Sequence, residues 1–246
     1  RGTKRYNTIA MSYTKTIACL ANSWKKSGRC VAGREIKDGK FGPWIRPVSI
    51  RPGEEISEKE RCYKGGGDPQ VLDIISIEML RAKPNKHQQE NHVIDESHCW
   101  KKQGTVSWEQ LKAAAEDPAG PLWQNTHSTA YGVNDKVPED SLKGFSRSLY
   151  LIRPKELVLV MPLEGGTFAP AHRKLRARFD LCGHSYRIAV TDPVVQQEYS
   201  DLQDGERKIE NALVCVSLGE SWHGFAFKLA AAVITPTRKA SFLNSS

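Results

Sequence analysis

Hydrophobic and polar residues along this chain alternate in short runs, a pattern that is typical of β-strands. In residues 174–181, leucine, alanine and phenylalanine positions alternate with lysine, arginine and aspartate positions. Residues 71–80 (VLDIISIEML) form another clear strand, bounded by Gly-Gly-Gly-Asp-Pro and Lys-Pro-Asn. Further strands are predicted at residues 14–21, 29–36, 44–50, 148–152, 156–161, 185–191, 213–218 and 225–234. The last run is apolar enough to form either a central strand or a short buried helix.

One helix is predicted between the two groups of strands. Ser107-Trp-Glu-Gln110 has the form of a capping box, in which the serine accepts a bond from an early amide and the glutamine reaches back. Residues 111–116 continue the helix until Asp117-Pro118 stops it. Residues 118–146 are rich in Pro, Gly, Asn, Ser and Thr, which predicts a long connection between two halves.

The number of strands predicts the fold class. Two sets of about five short strands with few helices indicate a mainly β protein with two OB-like β-barrels in tandem. A parallel α/β fold would need alternating helices of about 10–15 residues, which the pattern does not supply. The expected organisation is a flexible extension (1–10), a first barrel with an inserted helix (11–125), a connection (126–146) and a second barrel (147–246). No internal repeat is strong enough to establish a duplication.

Composition narrows the class of protein. Apolar residues make up 39% and charged residues 26% of the 246 residues, which is typical of a globular protein. No run approaches the roughly 18 apolar residues of a membrane helix, and residues 1–10 lack the apolar core of a secretory signal. We therefore expect a cytoplasmic protein without a membrane partner. The net charge of +8 favours a polyanionic partner such as nucleic acid, although an ordinary basic protein has the same balance.

A basic cluster early in the chain carries the first candidate site. Residues 15 to 46 hold eight lysines and arginines against Glu35 and Asp38, and aromatic residues lie among the cations. Rings that stack on bases beside cations that contact phosphates are typical of single-stranded nucleic-acid binding. The alternative is that Trp44 belongs to the core and the lysines form a solvated face. The predicted nucleic-acid contacts are Trp24, Lys25, Lys26, Arg29, Arg34, Phe41, Trp44 and Arg46.

A second basic cluster follows His172 in the second half of the chain. Strand alternation places its later cations on one face, roughly 6.5–7 Å apart, a spacing that would let several of them contact phosphates at once. The alternative is an edge strand whose cations prevent aggregation. The predicted contacts here are Arg173, Lys174, Arg176 and Arg178.

Signals for catalysis and metal binding are weak. The sequence lacks a phosphate-binding loop, a nucleophile elbow and a zincin motif, and none of its six cysteines forms a C-x-x-C pair, so no cofactor is expected. His92, Asp95 and His98 lie close together with Glu96 and Cys99, and all five can ligate a metal. Because their spacing matches no helical histidine pair and no zinc finger, we favour a solvated loop and assign no metal site.

Several short phrases together resemble the bacterial dual OB domain-containing protein family. The resemblance spans roughly residues 14–234 and implies two OB-like barrels with a nucleic-acid-related role in prokaryotic defence or nucleic-acid processing. It implies no catalytic residues. The phrases are Cys19-Leu-Ala-Asn-Ser23, Ser27-Gly-Arg-Cys-Val-Ala-Gly-Arg-Glu35, Trp44-Ile-Arg-Pro-Val-Ser49, Arg176-Ala-Arg-Phe179, Val190-Thr-Asp-Pro193, Cys215-Val-Ser-Leu-Gly-Glu220 and the closing run 228–234.

Three functional hypotheses follow from these observations. The preferred one is a non-catalytic module that binds DNA or RNA through backbone contacts and aromatic stacking, mainly on the first barrel. The second is a metal-assisted enzyme acting on nucleic acid or a nucleotide, with the histidine cluster as ligands. The third is an adaptor for a protein partner, such as one encoded nearby. The sequence leaves the oligomeric state open.

Overall fold

A computed structural model describes residues 12–165, 170–203 and 205–238, so the predicted extension at residues 1–10 lies outside the described residues. The first half of the chain contains six strands: Tyr13–Lys25 (β1), Gly28–Lys37 (β2), Lys40–Val48 (β3), Asp73–Ala82 (β4), Asn91–Ile94 (β5) and Lys101–Thr105 (β6). A short helix, Glu58–Arg61 (α1), lies between β3 and β4.

Five of these strands close into a ring, which is the first barrel. Each strand pairs with two neighbours in the order β1-β2-β3-β5-β4, and β4 pairs back with β1. The pairing of β3 with β5 is parallel, whereas the other pairings are antiparallel. This circuit is the five-stranded Greek-key barrel of the OB fold. Its interior is filled by Ile17, Cys19, Val31, Ile45, Ile56, Ile75, Ile77, Met79, Ile94 and Trp100.

The second half of the chain is also built from short strands. They are Lys136–Pro138 (β7), Leu149–Ile152 (β8), Leu157–Val160 (β9), Leu163–Glu164 (β10), His172–Arg173 (β11), Arg176–Leu181 (β12), His184–Val190 (β13), Glu206–Ile209 (β14), Leu213–Trp222 (β15) and Phe225–Ile234 (β16). The helical segments are Trp108–Ala113 (α2), a 3-10 turn at Glu139–Gly144 and Pro193–Glu198 (α3). None of the described helices has the length and apolar character needed to cross a bilayer.

Several local predictions are confirmed. Helix α2 begins with the expected capping box, in which Ser107 accepts from the Gln110 amide and the Gln110 side chain accepts from the Ser107 amide. The final apolar run, β16, is a central strand and not a helix.

The second barrel repeats the circuit of the first. Strands β9, β12 and β13 are antiparallel neighbours, β13 pairs in parallel with β16, and β15 links β16 to β8. Strands β8 and β9 follow one another across Arg153 and Pro154, so together they occupy the place that β1 holds in the first barrel. The predicted fold class, two OB-like barrels in tandem, is confirmed.

The connection between the halves is folded onto the second barrel. Residues 136–138 form β7 beside β16, and Val133 exchanges two backbone hydrogen bonds with Arg187 on β13. Leu122 and Trp123 pack in the core of the second barrel. The exact division of the chain at residues 125 and 147 stays a prediction.

A shared apolar layer, the seam, joins the two barrels. The outer surface of β1, β2 and β3 packs there against β8, β15 and β16, with helix α2 closing one side. Because this layer buries apolar residues of both barrels, it holds them together as one packed unit. Its members are Ala18, Leu20, Ala21, Ala32, Trp44, Val106, Leu111, Ala114, Leu149, Leu151, Leu213, Cys215, Ala231, Ala232 and Ile234.

Candidate nucleic-acid interface

The turn between β1 and β2 carries the first group of predicted contacts. The Trp24 ring is 50% exposed, and the guanidinium carbon of Arg29 lies 3.6 Å from its centroid. Arg29 itself is buried, and desolvation lowers its pKa, with the positive charge of Arg61 acting in the same direction. Lys25 forms an ion pair of 2.7 Å with Glu220 of the second barrel, whereas Lys26 is exposed. Trp24 and Lys26 are therefore the parts of this group that face solvent.

The remaining residues of the first cluster lie at the seam. Arg46 is 3% exposed, and it forms an ion pair with Glu90 (3.3 Å) and a hydrogen bond with the Ser148 hydroxyl (2.8 Å). Trp44 is 9% exposed, and Phe41 packs against the same apolar layer. The expected open row of rings and cations is thus absent here, because the second barrel covers the face on which it was predicted.

Arg34 is half-buried at the edge of the same seam. Its Nε donates to the Gly42 carbonyl, and its Nη1 lies 3.8 Å from the Glu116 carboxylate. Desolvation lowers the pKa of Arg34, while the nearby Glu116 charge opposes that shift. The guanidinium carbon is 5.9 Å from the Trp44 ring centroid, so Arg34 and Trp44 are brought together as predicted contacts, but in a cleft.

The second cluster is divided by the structure. Arg173 and Lys174 are exposed before β12, in the segment that connects β9 to it. Arg176 is 3% exposed and pairs with Glu164 and, at 3.4 Å, with Asp135. The row of three cations on one open face is therefore wrong at Arg176, because acidic residues from β10 and the connection cover and neutralise it.

Arg178 is exposed and lies directly opposite Arg187, a cation that is not among the predicted contacts. The two terminal nitrogens of Arg178 each lie 2.7 Å from an oxygen of Glu206, which raises the pKa of Arg178 and lowers that of Glu206. Arg187 on β13 is its cross-strand partner in the register. The sequence could have predicted this pairing of Arg178 with Arg187, because the two-residue turn at Cys182 and Gly183 fixes which residues of β12 and β13 face each other.

These arginines belong to a surface that we name the open face, the outward side of β9, β12 and β13. Val158, Arg178 and Arg187 are register neighbours on the three strands, and Lys208 of β14 lies beyond Val158. Adjacent strands are about 4.8 Å apart, so this row runs across the sheet for roughly 14 Å. Within the described chain, the Nε of Arg187 is buried without a hydrogen-bond partner. Grooves of about 400 and 240 Å³ flank the row.

The histidine cluster does not converge on one point. The Tyr13 hydroxyl lies 2.7 Å from the Nδ1 of His92, and desolvation lowers the pKa of this imidazole. Asp95 accepts hydrogen bonds from Ser97 and lies 3.1 Å from His98, contacts that lower the pKa of the carboxylate. Over the described ranges, no group of three or more His, Cys, Asp or Glu residues is arranged to hold a metal ion.

The geometry defines the class of protein, one built from two OB-type barrels. The outer surface of β1, β2 and β3 in the first barrel is covered by the second barrel, whereas the open face of the second barrel is not covered by the first. The chain matches the family model of the dual OB-containing domain over residues 15–233, and it belongs to that family. The resemblance drawn from the sequence is therefore confirmed. No curated protein and no solved structure matches the chain.

Proposed function

We propose that this protein binds a single strand of DNA or RNA across the open face of its second barrel. OB folds bind oligonucleotides on the face of their second and third strands, which here are β12 and β13. The observation that carries the proposal is the pair Arg178 and Arg187, two cations that face each other on those strands. Like charges directly opposite each other are destabilising, and within the described chain the Nε of Arg187 lacks a hydrogen-bond partner, so a further anion beside this pair would be stabilising.

Two exposed segments of the second barrel supply further contacts of the right chemistry. His172, Arg173 and Lys174 are exposed in the connection between the first and second strands of the barrel, where OB folds close over a ligand. The β15–β16 turn carries Trp222, which is 67% exposed, next to His223. An exposed indole at this position suits stacking on an unpaired base.

The ion pair between Arg178 and Glu206 does not prevent phosphate binding. Both side chains are about half exposed, so solvent screens their ion pair even though its geometry is bidentate. A phosphate offers Arg178 the same paired oxygens in a charge-assisted contact, so the strand replaces Glu206 at little cost. The carboxylates Glu156 and Asp180 on this side are engaged by Lys208 and Ser185.

Fluorescence anisotropy with labelled single- and double-stranded DNA and RNA, each at two salt concentrations, tests the proposal. We expect the single strands to bind, with log affinity falling by about 0.7 per neutralised phosphate for each unit of log salt. The variant Arg178→Gln/Arg187→Gln should lose at least about tenfold in affinity. The control Lys59→Gln/Lys64→Gln removes the same charge from exposed positions of the first barrel and should lose less than about twofold.

If both double variants lose the same affinity, the binding depends only on the net charge of the protein, and the proposed binding face is contradicted. Affinity that is indifferent to salt would contradict phosphate recognition altogether.

Trp24 and Lys26 remain predicted secondary contacts, since both are exposed at the β1–β2 turn. From the resemblance of the sequence phrases we also propose a role in prokaryotic defence or nucleic-acid processing.

A further inference from the structure

A cleft of about 420 Å³ lies along the seam, away from the open face. Residues of the first barrel, including Arg34, Pro43 and Trp44, line it together with Glu116, which follows helix α2, and Arg147, which precedes β8. Small-molecule sites typically measure roughly 300–1,000 Å³ and occur preferentially where two domains meet. The size and position of the cleft are therefore those of a small-ligand site.

Two guanidinium groups in the cleft share one carboxylate. Glu116 accepts from Arg147, lies 3.8 Å from Arg34, and also accepts from the indole nitrogen of Trp44 (3.3 Å) and the amide of Leu151 (2.9 Å). The carboxylate is thus fully engaged by the protein. Each guanidinium has five donors, so both arginines retain donors for a second anion.

A third arginine behind the cleft increases the positive charge. Arg46 pairs with Glu90, a residue of the cleft wall, and that carboxylate also accepts from Ser148. Within the described part of the chain, the Nε and Nη1 of Arg46 are buried and lack hydrogen-bond partners. Arg34, Arg46 and Arg147 therefore exceed Glu90 and Glu116 by one charge.

Part of the cleft wall beside Arg34 is apolar. Pro43 is exposed there, and it is followed by Trp44, whose indole ring is fixed by its hydrogen bond to Glu116. A rigid ring and a proline beside cations favour a ligand that is aromatic at one end and anionic at the other.

We infer that the seam cleft binds a nucleoside monophosphate group, with its phosphate on the remaining donors of Arg34 and Arg147 and its base against Pro43 and Trp44. Paired guanidiniums match the oxygens of a phosphate better than a single ammonium does. The group comes either from a free nucleotide or from the phosphorylated end of a strand. This site is separate from the open face, so it goes beyond the proposed strand binding and does not depend on it.

Isothermal titration of the full chain with adenosine 5′-monophosphate, adenosine and a trinucleotide with or without a 5′-phosphate tests the inference. We expect the monophosphate to bind with saturation and adenosine to bind at least about tenfold more weakly. The variants Arg147→Gln and Arg34→Gln should each weaken the monophosphate by about tenfold or more. The control Arg153→Gln removes an exposed arginine that does not line the cleft and should leave the affinity unchanged.

The trinucleotides distinguish the two sources of the ligand. Binding that needs the 5′-phosphate of the trinucleotide identifies a strand end, whereas binding of the monophosphate alone identifies a free nucleotide. No binding of any phosphorylated ligand below about 1 mM, or equal affinity in wild type and both cleft variants, would overturn the inference. The open-face variant Arg178→Gln/Arg187→Gln keeps monophosphate binding, so failure here and failure of the proposed function are told apart.

Discussion

Buried cations in this protein differ in what compensates their charge. Arg46 and Arg176 are each paired with a carboxylate, as buried charges usually are. Lys228 is 1% exposed, and its ammonium donates to two neutral acceptors, the Gln124 carbonyl (2.7 Å) and the Asn125 side chain (2.6 Å). Burial lowers the pKa of Lys228 to about 7, although the charge of Asp135 opposes the shift. The charged form of Lys228 therefore destabilises the folded state.

This shift predicts a pH-dependent difference between wild type and Lys228→Met. The ordinary pKa of a lysine is 10.5, so between pH 7 and 10.5 the unfolded chain binds a proton that the folded chain does not. The penalty is fully present below pH 7 and is lost as the pH rises, on the order of a few kcal/mol. Urea unfolding at pH 6, 8 and 10 should show wild type gaining stability relative to the variant. A difference that is constant with pH would contradict the prediction.

At the scale of elements, the first strand of each barrel has to pair with two different strands. In the first barrel a single strand does so, with its first half on β4 and its second half on β2, and a bulge between Cys19 and Ala21 redirects it. In the second barrel the chain is interrupted at Arg153 and Pro154, since proline lacks the amide that a ladder needs. One topology is thus reached by a bulge in one barrel and by a break in the other.

The sequence could predict the features of the fold that depend on neighbouring residues, but not those that depend on distant ones. Strands, the α2 capping box and the β12–β13 turn depend on neighbouring residues, so alternation and turn residues identify them. The closure of each ring and the burial of Arg46 depend on residues far along the chain, because Ser148 and Ser217 are 102 and 171 positions away. Periodicity assigned Arg176 to one side of its strand, but Asp135 and Glu164 decide whether that side is open.

The β1 bulge predicts a strict requirement for glycine at position 33. A Cβ there would lie 2.1 Å from the Ala18 carbonyl oxygen and 2.8 Å from its carbon, so backbone would have to move. We expect Gly33→Ala to destabilise the protein by at least about 1–3 kcal/mol, the usual cost of overpacking. Gly65→Ala is the matched control, because nothing lies within 4 Å of its Cβ. Equal midpoints of thermal unfolding in the two variants would refute this account of the bulge.

At the scale of the whole molecule, the seam determines which OB surface is available to a ligand. The first barrel buries the outer side of β1, β2 and β3 against the second barrel, which contributes β8, β15 and β16. The docking is therefore asymmetric, and it leaves Arg178 of β12 exposed, whereas β10 and the connection cover Arg176 of the same strand. The sequence favours the first barrel for nucleic-acid binding, but the structure buries part of its outer surface against the second barrel. Stability of the seam should accordingly affect both barrels at once.

Two ion pairs lie at the seam, and the difference in their burial predicts very different contributions to the free energy of unfolding. Arg46 approaches Ser148 and Ser217 of the second barrel while pairing with Glu90, and its loss leaves that carboxylate buried and unpaired. Arg46→Met should therefore cost about 3–5 kcal/mol. The pair of Lys25 with Glu220 is partly exposed, so Lys25→Met should cost at most about 1 kcal/mol.

Urea unfolding monitored by tryptophan fluorescence, together with a third variant, separates charge from packing at the seam. Arg46→Met/Glu90→Gln removes both charges, so no buried carboxylate is left without a partner, and we expect it to recover most of the stability that Arg46→Met loses. If the double variant is as unstable as Arg46→Met, the guanidinium acts through its hydrogen bonds to Ser148 and Ser217, and not by compensating Glu90. Since apolar residues of both barrels fill the seam, each variant should unfold in one transition. Two separate transitions would mean that the barrels fold independently and that the open face needs no support from the first barrel.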